Sequence, residues 1–310
     1  MNGSIEQPVS SARRLRQLLS DPSKTVVAPG VYDGITARLA LAQGFECLYM
    51  TGAGTSMSRL GMADLGLTTF TDMHQNASMI ASIDPKTPVI ADADTGYGGP
   101  INVANTVKAY ARAGVAGLHI EDQVQEKRCG HLSGKLLVNR EVYYNRLRAA
   151  CKARDESGSE ILIIARTDAR AGKDTEGNGG FDEAVLRLTK AAEIGVDALF
   201  FEAIQSEEEC KQVIAALPKI PVLLNMVDGG RTPIVSGKRA NELGFRIQIW
   251  PATVLEVVVV AARQAYKALM ETGVPPAGEK VGPGKLFEVC GLKELMEFDE
   301  SVGGKAYSGA

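Results

Sequence analysis

The sequence predicts an α/β protein, a (β/α)8 TIM-type barrel of parallel strands each followed by a helix, and three observations lead there. Short β-branched runs alternate with segments of helical period through eight units, at the spacing of roughly thirty residues per unit typical of such barrels. Each strand candidate is nearly continuously apolar, as a strand covered on both faces must be. Several helical stretches stop at a glycine just before the next strand, at Gly44, Gly114, Gly195 and Gly244, in phrases such as ARAG-V and AEIG-V. A left-handed glycine there ends the helix and turns the chain. A doubly wound sheet is the other arrangement of alternating elements, but no GxGxxG turn follows the first strand.

Residues 1–310 read as one barrel domain with an extension at each end. The N-terminal extension, residues 1–24, holds a short amphipathic helix over Ser11–Leu19 and is placed outside the barrel. Strands are expected over Thr25–Tyr32, Cys47–Thr51, Pro88–Ala93, Ala116–Glu121, Glu160–Thr167, Asp197–Ala203, Pro221–Met226 and Phe245–Pro251. The helical stretches between them are Gly34–Ala42, Asp72–Ser82, Ile101–Ala113, Arg140–Arg154, Phe181–Ile194, Glu207–Leu217, Ser236–Leu243 and Thr253–Glu271. A linker and helical tail fill residues 273–310, with prolines at 275, 276 and 283 and a helical pattern over Lys285–Met296. A helix cast off behind such a linker packs on its own barrel or on a neighbouring subunit.

Composition narrows the function classes. With 45% hydrophobic and 23% charged residues the chain can bury a large core, which excludes disorder and fibre. A net charge of -3 without a basic block gives no handle for nucleic acid or an anionic membrane, so a small molecule is the expected partner. The five cysteines are odd in number, scattered and free of zinc spacing, which fits a reducing compartment. Met1–Arg14 lacks an apolar signal core and the longest apolar run, Val257–Ala262, is too short for a bilayer. The expectation is an intracellular protein, with the cytoplasm as the default compartment.

In a barrel of this kind the site is built where the strands end. Strand one ends in Asp33, two in Tyr49, Thr51 and Gly52, three in Asp92 and Asp94, four in Glu121 and Asp122. Five ends in Arg166 and Asp168, six in Glu202 and seven in Asn225. Asp92 and Asp94, two apart on a strand, share a face. Close carboxylates repel unless a proton or cation lies between them, and with Glu121 nearby the expected answer is a hard divalent cation, Mg2+ or Mn2+. For any single acid the alternative is a helix cap or a pair with Arg166. The glycines of DTGYGG and Thr51-Gly52-Ala53-Gly54 offer amides for a ligand or merely serve their turns. Arg166 needs an anion and suits a carboxylate, or else a buried ion pair. In the loop Gln123–Lys135, Cys129 stands among Lys127, Arg128, Gly130 and His131. Those cations favour a reactive thiol on a closing lid, against the alternative of an inert loop cysteine.

Together, DADTGYG over residues 92–98, Glu121-Asp122-Gln123 and Lys127-Arg128-Cys129-Gly130-His131 resemble the isocitrate lyase and phosphoenolpyruvate mutase superfamily, in its carbon–carbon lyase branch. The wording is most similar to the fungal and plant group that holds dimethylmalate lyases, oxaloacetate acetylhydrolases and the petal death protein. The resemblance implies a barrel whose terminal helix is swapped between subunits of a homotetramer. It implies that Asp94 ligates Mg2+, with Asp92 and Glu121 holding the ion directly or through water. Thr51, Gly52, Ala53 and Arg166 would hold a keto-acid half, and Glu202, Asn225 and Thr232 the distal part of the substrate. Cys129 is then the general acid of a gating loop that includes Lys127, Gly130 and His131, and Tyr49 stands where a proton acceptor belongs.

The activity implied is retro-aldol cleavage of a substituted 2-hydroxy di- or tricarboxylate, of the 2-alkylmalate, dimethylmalate or methylisocitrate type, to a keto acid and a carboxylic acid. Oxaloacetate hydrolysis to oxalate and acetate is the neighbouring activity; its enzymes carry a serine after strand eight, where this sequence has Pro251. The alternative of another class is a non-catalytic barrel that binds a dicarboxylate, which has no use for a protonatable thiol in a closing loop.

Overall fold

The computed structural model describes residues 9–130, 134–276 and 281–305. Helix α1 (Ser11–Ser20) is followed by β1 (Val26–Val31), α2 (Gly34–Ala42) and β2 (Leu48–Met50). After β2 come a single-turn helix α3 (Gly52–Thr55), a π-helical turn (Ser56–Leu60) and α4 (Phe70–Ile83). The alternation continues through β3 (Val89–Asp92), α5 (Pro100–Arg112), β4 (Gly117–Glu121), α6 (Arg140–Glu156), β5 (Leu162–Thr167) and α7 (Phe181–Ile194). It ends with β6 (Ala198–Phe201), α8 (Glu207–Ala216), β7 (Val222–Asn225), α9 (Gly237–Leu243), β8 (Ile247–Trp250) and α10 (Thr253–Thr272). The tail adds α11 (Gly282–Glu288) and α12 (Leu292–Ser301).

The strands pair in sequence order, all parallel, and β8 closes on β1 with Val26 beside Ile247 and Pro29 beside Trp250. The expected eight-stranded barrel is therefore present. All four glycines expected to stop helices have positive φ, between 81° and 103°. That conformation costs glycine little and lets a spent helix turn straight into a strand.

Side chains alternate across the barrel wall. Leu48, Met50, Ala91, Leu118, Ile120, Ile163, Ala165 and Leu199 face outward into one core shared with the helices. Tyr49, Ile90, Ile164, Phe200, Leu223 and Ile249 face inward into a second core. One step of two further along each strand, the inward position passes to Thr51, Asp92, Arg166, Glu202, Asn225 and Pro251. The period of two thus delivers the polar residues to one rim.

Two expectations need correction. The N-terminal helix is not outside the barrel: Leu15, Leu18 and Leu19 join the inner core, because the bottom of the barrel needs an apolar plug and α1 has one apolar face. The pattern over Lys285–Met296 is two helices, broken where Gly291 takes φ 83°.

Candidate active site

The rim is crowded with buried charge. Parallel register sets Asp92 beside His119 and Glu121 beside Arg166. Arg166 donates from Nε to Asp168 at 2.9 Å and from Nη2 at 3.2 Å, lies 3.2 Å from Glu121 Oε2 and 3.8 Å from Glu202 Oε2, and covers the Phe200 ring. Glu202 accepts from Asn225 Nδ2 at 3.1 Å. The residue after it, Ala203, has φ 65°, and Asp94 has φ 47°. Left-handed backbone at non-glycine positions is strain of the kind that clusters at functional sites.

Asp94 meets the Lys127 ammonium at 2.6 Å, and Asp64, from the segment before α4, meets it at 2.7 Å. Burial pushes the Asp94 carboxyl up to about 6, with Lys127 pulling the other way and Asp92 and Asp64 adding to the rise. Burial also raises Asp92 and Glu121 above the usual carboxylate range. Lys127 is held well above its ordinary value: burial would lower it, but Asp94, Asp64, Glu121 and Asp92 outweigh that. Acids outnumber bases here, so the rim has a place for an added cation.

The donors suit a hard one. Asp92 lies against Gly52, where even a Cβ would fall 2.2 Å from Oδ2, and its Oδ1 accepts from the Asp94 amide at 2.9 Å. Glu121 Oε1 accepts from Gln123 at 2.9 Å while Oε2 faces Arg166. Among the described residues no three acidic, histidine or cysteine side chains close into a cage. Magnesium does not ask for one, since it keeps waters and takes one or two carboxylates plus substrate oxygens. Asp92 and Asp94 fit that role, with Glu121 turned to its cross-strand arginine.

Tyr49 bonds His119 Nε2 through its hydroxyl at 2.8 Å, and His119 Nδ1 lies 3.6 Å from Asp92 Oδ1. Burial pulls His119 down to about 3, so the imidazole is neutral. Burial and then the Asp92 charge raise the Tyr49 phenol well above 10.0. Burial thus favours the protonated phenol.

The loop after β4 lies down over this rim. Gly130 fits only because it lacks a side chain: a Cβ would come within 2.6 Å of Arg166 Nη2 and 2.8 Å of Glu202. Cys129, next to it, is half-buried. His131 lies outside the described residues. Thr51 accepts from the Gly54 amide at 3.3 Å and starts α3, so Gly52 and Ala53 sit at that helix's first turn. Thr232 is buried in the segment after β7. Pro251 lies against β1, its carbonyl 2.4 Å from where a Cβ on Gly30 would stand.

The phosphoenolpyruvate phosphomutase family model matches residues 15–270. The chain belongs to this family. Among solved structures, a 2,3-dimethylmalate lyase, a PEP mutase/isocitrate lyase superfamily member, is 52% identical with a TM-score of 0.93, covering 97% of this chain and 98% of that one. Oxaloacetate acetylhydrolase in complex with 3,3-difluorooxalacetate is 46% identical with a TM-score of 0.92, covering 97% and 100%. A 2-methylisocitrate lyase of Aeropyrum pernix is 42% identical over 259 residues, 84% of this chain and 80% of its own length.

Within this family member, several rim residues were not singled out from sequence. His119 carries a usable signal, two positions from Glu121 and therefore on its face. Asp64 and Lys135 come from irregular segments with no period to read. Conversely, Asp33 belongs to a capping box at α2, with Thr36, and Asp122 faces outward to Arg187. The DTGYGG turn presses Gly96 on Val103 and Gly98 on Asn102 of α5, which is helix packing.

Proposed function

We propose that this chain is a divalent-cation-dependent carbon–carbon lyase, cleaving a substituted malate or methylisocitrate type of substrate to a keto acid such as pyruvate plus a carboxylic acid. The observation that supports it is the convergence, under one loop bearing Cys129, of an anion-binding guanidinium with two buried carboxylates two residues apart. Mg2+ or Mn2+ held by Asp92 and Asp94 would supply Lewis-acid polarisation of the substrate's 2-hydroxyl and adjacent carboxylate. Arg166 takes a substrate carboxylate with its fork, and the amides of Gly52 and Ala53, with Thr51, take oxygens of the keto-acid half. Glu202, Asn225 and Thr232 meet the distal part. The hydroxyl proton passes to a buried carboxylate, whose proton affinity burial raises, with the Tyr49–His119 pair beside Asp92. The carbon–carbon bond breaks as the hydroxyl becomes the keto group, and its electron pair goes to the carbon beside the second carboxylate. Cys129 gives its proton to that carbon, and Lys127 and His131 belong to the loop that excludes water meanwhile.

The test is keto-acid release from a panel of 2-alkylmalates, dimethylmalate and methylisocitrate with Mg2+. Release abolished by Cys129→Ser and by Asp94→Ala is expected; no release from any of them would falsify the lyase reading. In Cys129→Ala, dicarboxylate binding kept with turnover lost supports the lyase, whereas a wild-type protein that binds a dicarboxylate without turning it over points to the non-catalytic barrel. Oxaloacetate hydrolysis is the second reading, favoured by the 46% identity to oxaloacetate acetylhydrolase. Pro251→Ser is expected to raise oxalate release, and a wild-type protein already efficient on oxaloacetate supports the second reading. The tail suits a homotetramer with swapped helices: α10, α11 and α12 bury no residue, and Tyr266, Met270, Phe287 and Phe298 are exposed.

A further inference from the structure

We propose that Lys135 is the positioning residue that latches the Cys129 loop shut, by joining the Gly130 carbonyl to Asp168 behind Arg166. The Lys135 side chain is fully buried, and its ammonium donates to Gly130 O at 2.6 Å and to Asp168 Oδ1 at 2.7 Å. That same Asp168 oxygen accepts from Arg166 Nη2 at 3.2 Å. One carboxylate therefore ties the anion-binding arginine to the far end of the loop. Buried charges in such an array are held firmly, because an ammonium left without its partners in a dry site is costly.

The loop is fastened at other points, and Lys135 differs from each. Lys127 reaches Asp64 and Asp94, groups that a cation would claim. Gly130 rests on Arg166 and Glu202, which a substrate would touch. Gln123 exchanges hydrogen bonds with the backbone of Arg128, at the loop's start. On the opposite flank, Gly66 packs against the Gln125 carbonyl. The Lys135 tether lies behind Arg166, on the side away from the rim. Its other bond runs to a main-chain carbonyl adjacent to Cys129, so loss of the ammonium frees the backbone beside the thiol while Arg166 keeps its own two bonds to Asp168.

The catalytic consequence rests on the lyase reading, but the latch itself is read without turnover. Alkylation of the ligand-free protein by iodoacetamide is followed cysteine by cysteine by peptide mass, in wild type, Lys135→Met and Lys135→Gln. Cys290, exposed on the tail, is the internal control, and the buried Cys47 and Cys151 report unfolding. The expected result is Cys129 alkylation about tenfold faster or more in Lys135→Met, the scale of one buried charge-assisted bond, with Cys290, Cys47 and Cys151 unchanged. Lys135→Arg restores slow alkylation. In steady state, kcat falls in Lys135→Met while KM stays near the wild-type value. Unchanged Cys129 reactivity in both Met and Gln variants overturns the proposal. So does faster alkylation that extends to Cys47 and Cys151, since Lys135 is then merely structural. A wild-type protein without lyase activity removes the lyase reading and leaves the alkylation result standing.

Discussion

Glu121 and Asp122 are consecutive, fully buried, and each faces a buried arginine, yet they build different things. Glu121 points to the barrel axis and meets Arg166, whose hydrogen bonds among the described residues run to Asp168 while Glu121 and Glu202 stand at 3.2 and 3.8 Å. Asp122 points outward and meets Arg187, which also bonds Asp174 at 3.0 Å, Glu183 at 2.7 Å and the Val138 carbonyl at 2.9 Å. Among the described residues the outer guanidinium uses four of its five donors and the inner one two, with the rest facing a rim. Burial of charge alone therefore does not mark a site. What marks it is uncommitted hydrogen-bonding capacity on the inward face.

The sharpest way to break this contrast is to remove the outer arginine. Arg187→Met strands the carboxylates of Asp122, Asp174 and Glu183, and a loss of about 3–5 kcal/mol in denaturant unfolding is expected. Unchanged stability would erase the distinction drawn here. Arg166→Lys keeps the charge but loses the fork, so kcat/KM should drop by roughly 10- to 100-fold, the value of a charge-assisted bond, with the melting temperature close to wild type. A large stability loss instead would place Arg166 in the same structural class as Arg187.

The pH dependence tests the inner cluster further. Asp94 sits at about 6 in the folded protein against 3.8 ordinarily, so the folded state binds its proton more tightly than the unfolded state. Its ionised form then opposes folding above that value, and the opposition fades as pH falls from about 6 towards 3.8. In chelator-treated protein, Asp94→Asn should gain melting temperature over wild type at neutral pH, and the gain should shrink on acidification. A gain that grows on acidification would reverse the sign assigned to Asp94. The smallest effect belongs to the outer shell: Asp33→Ala should cost about 1 kcal/mol through the lost α2 cap, with kcat unaffected. A marked fall in kcat would return Asp33 to the rim.

Much of the rim is legible because β-strands have a period of two and barrels put their sites at one end. Those two rules select Asp92, Glu121, Arg166, Glu202 and Asn225 from the chain. They do not tell inward from outward for neighbouring residues, which is why Asp122 stands beside Glu121 on the strand-end roster. They are silent on Asp64 and Lys135, which arrive from loops. The proton state of Tyr49 also escaped, because it depends on depth and on the neighbouring Asp92 charge.

By itself the chain's pattern settles the number and order of βα units, the helix-ending glycines and the family. These follow from local periodicity and turn chemistry. Only the folded molecule decides which acids share a cation, which arginine keeps free donors and where the Cys129 loop is fastened. Those outcomes depend on register between strands and on burial, quantities that arise when distant segments meet in a medium of low dielectric.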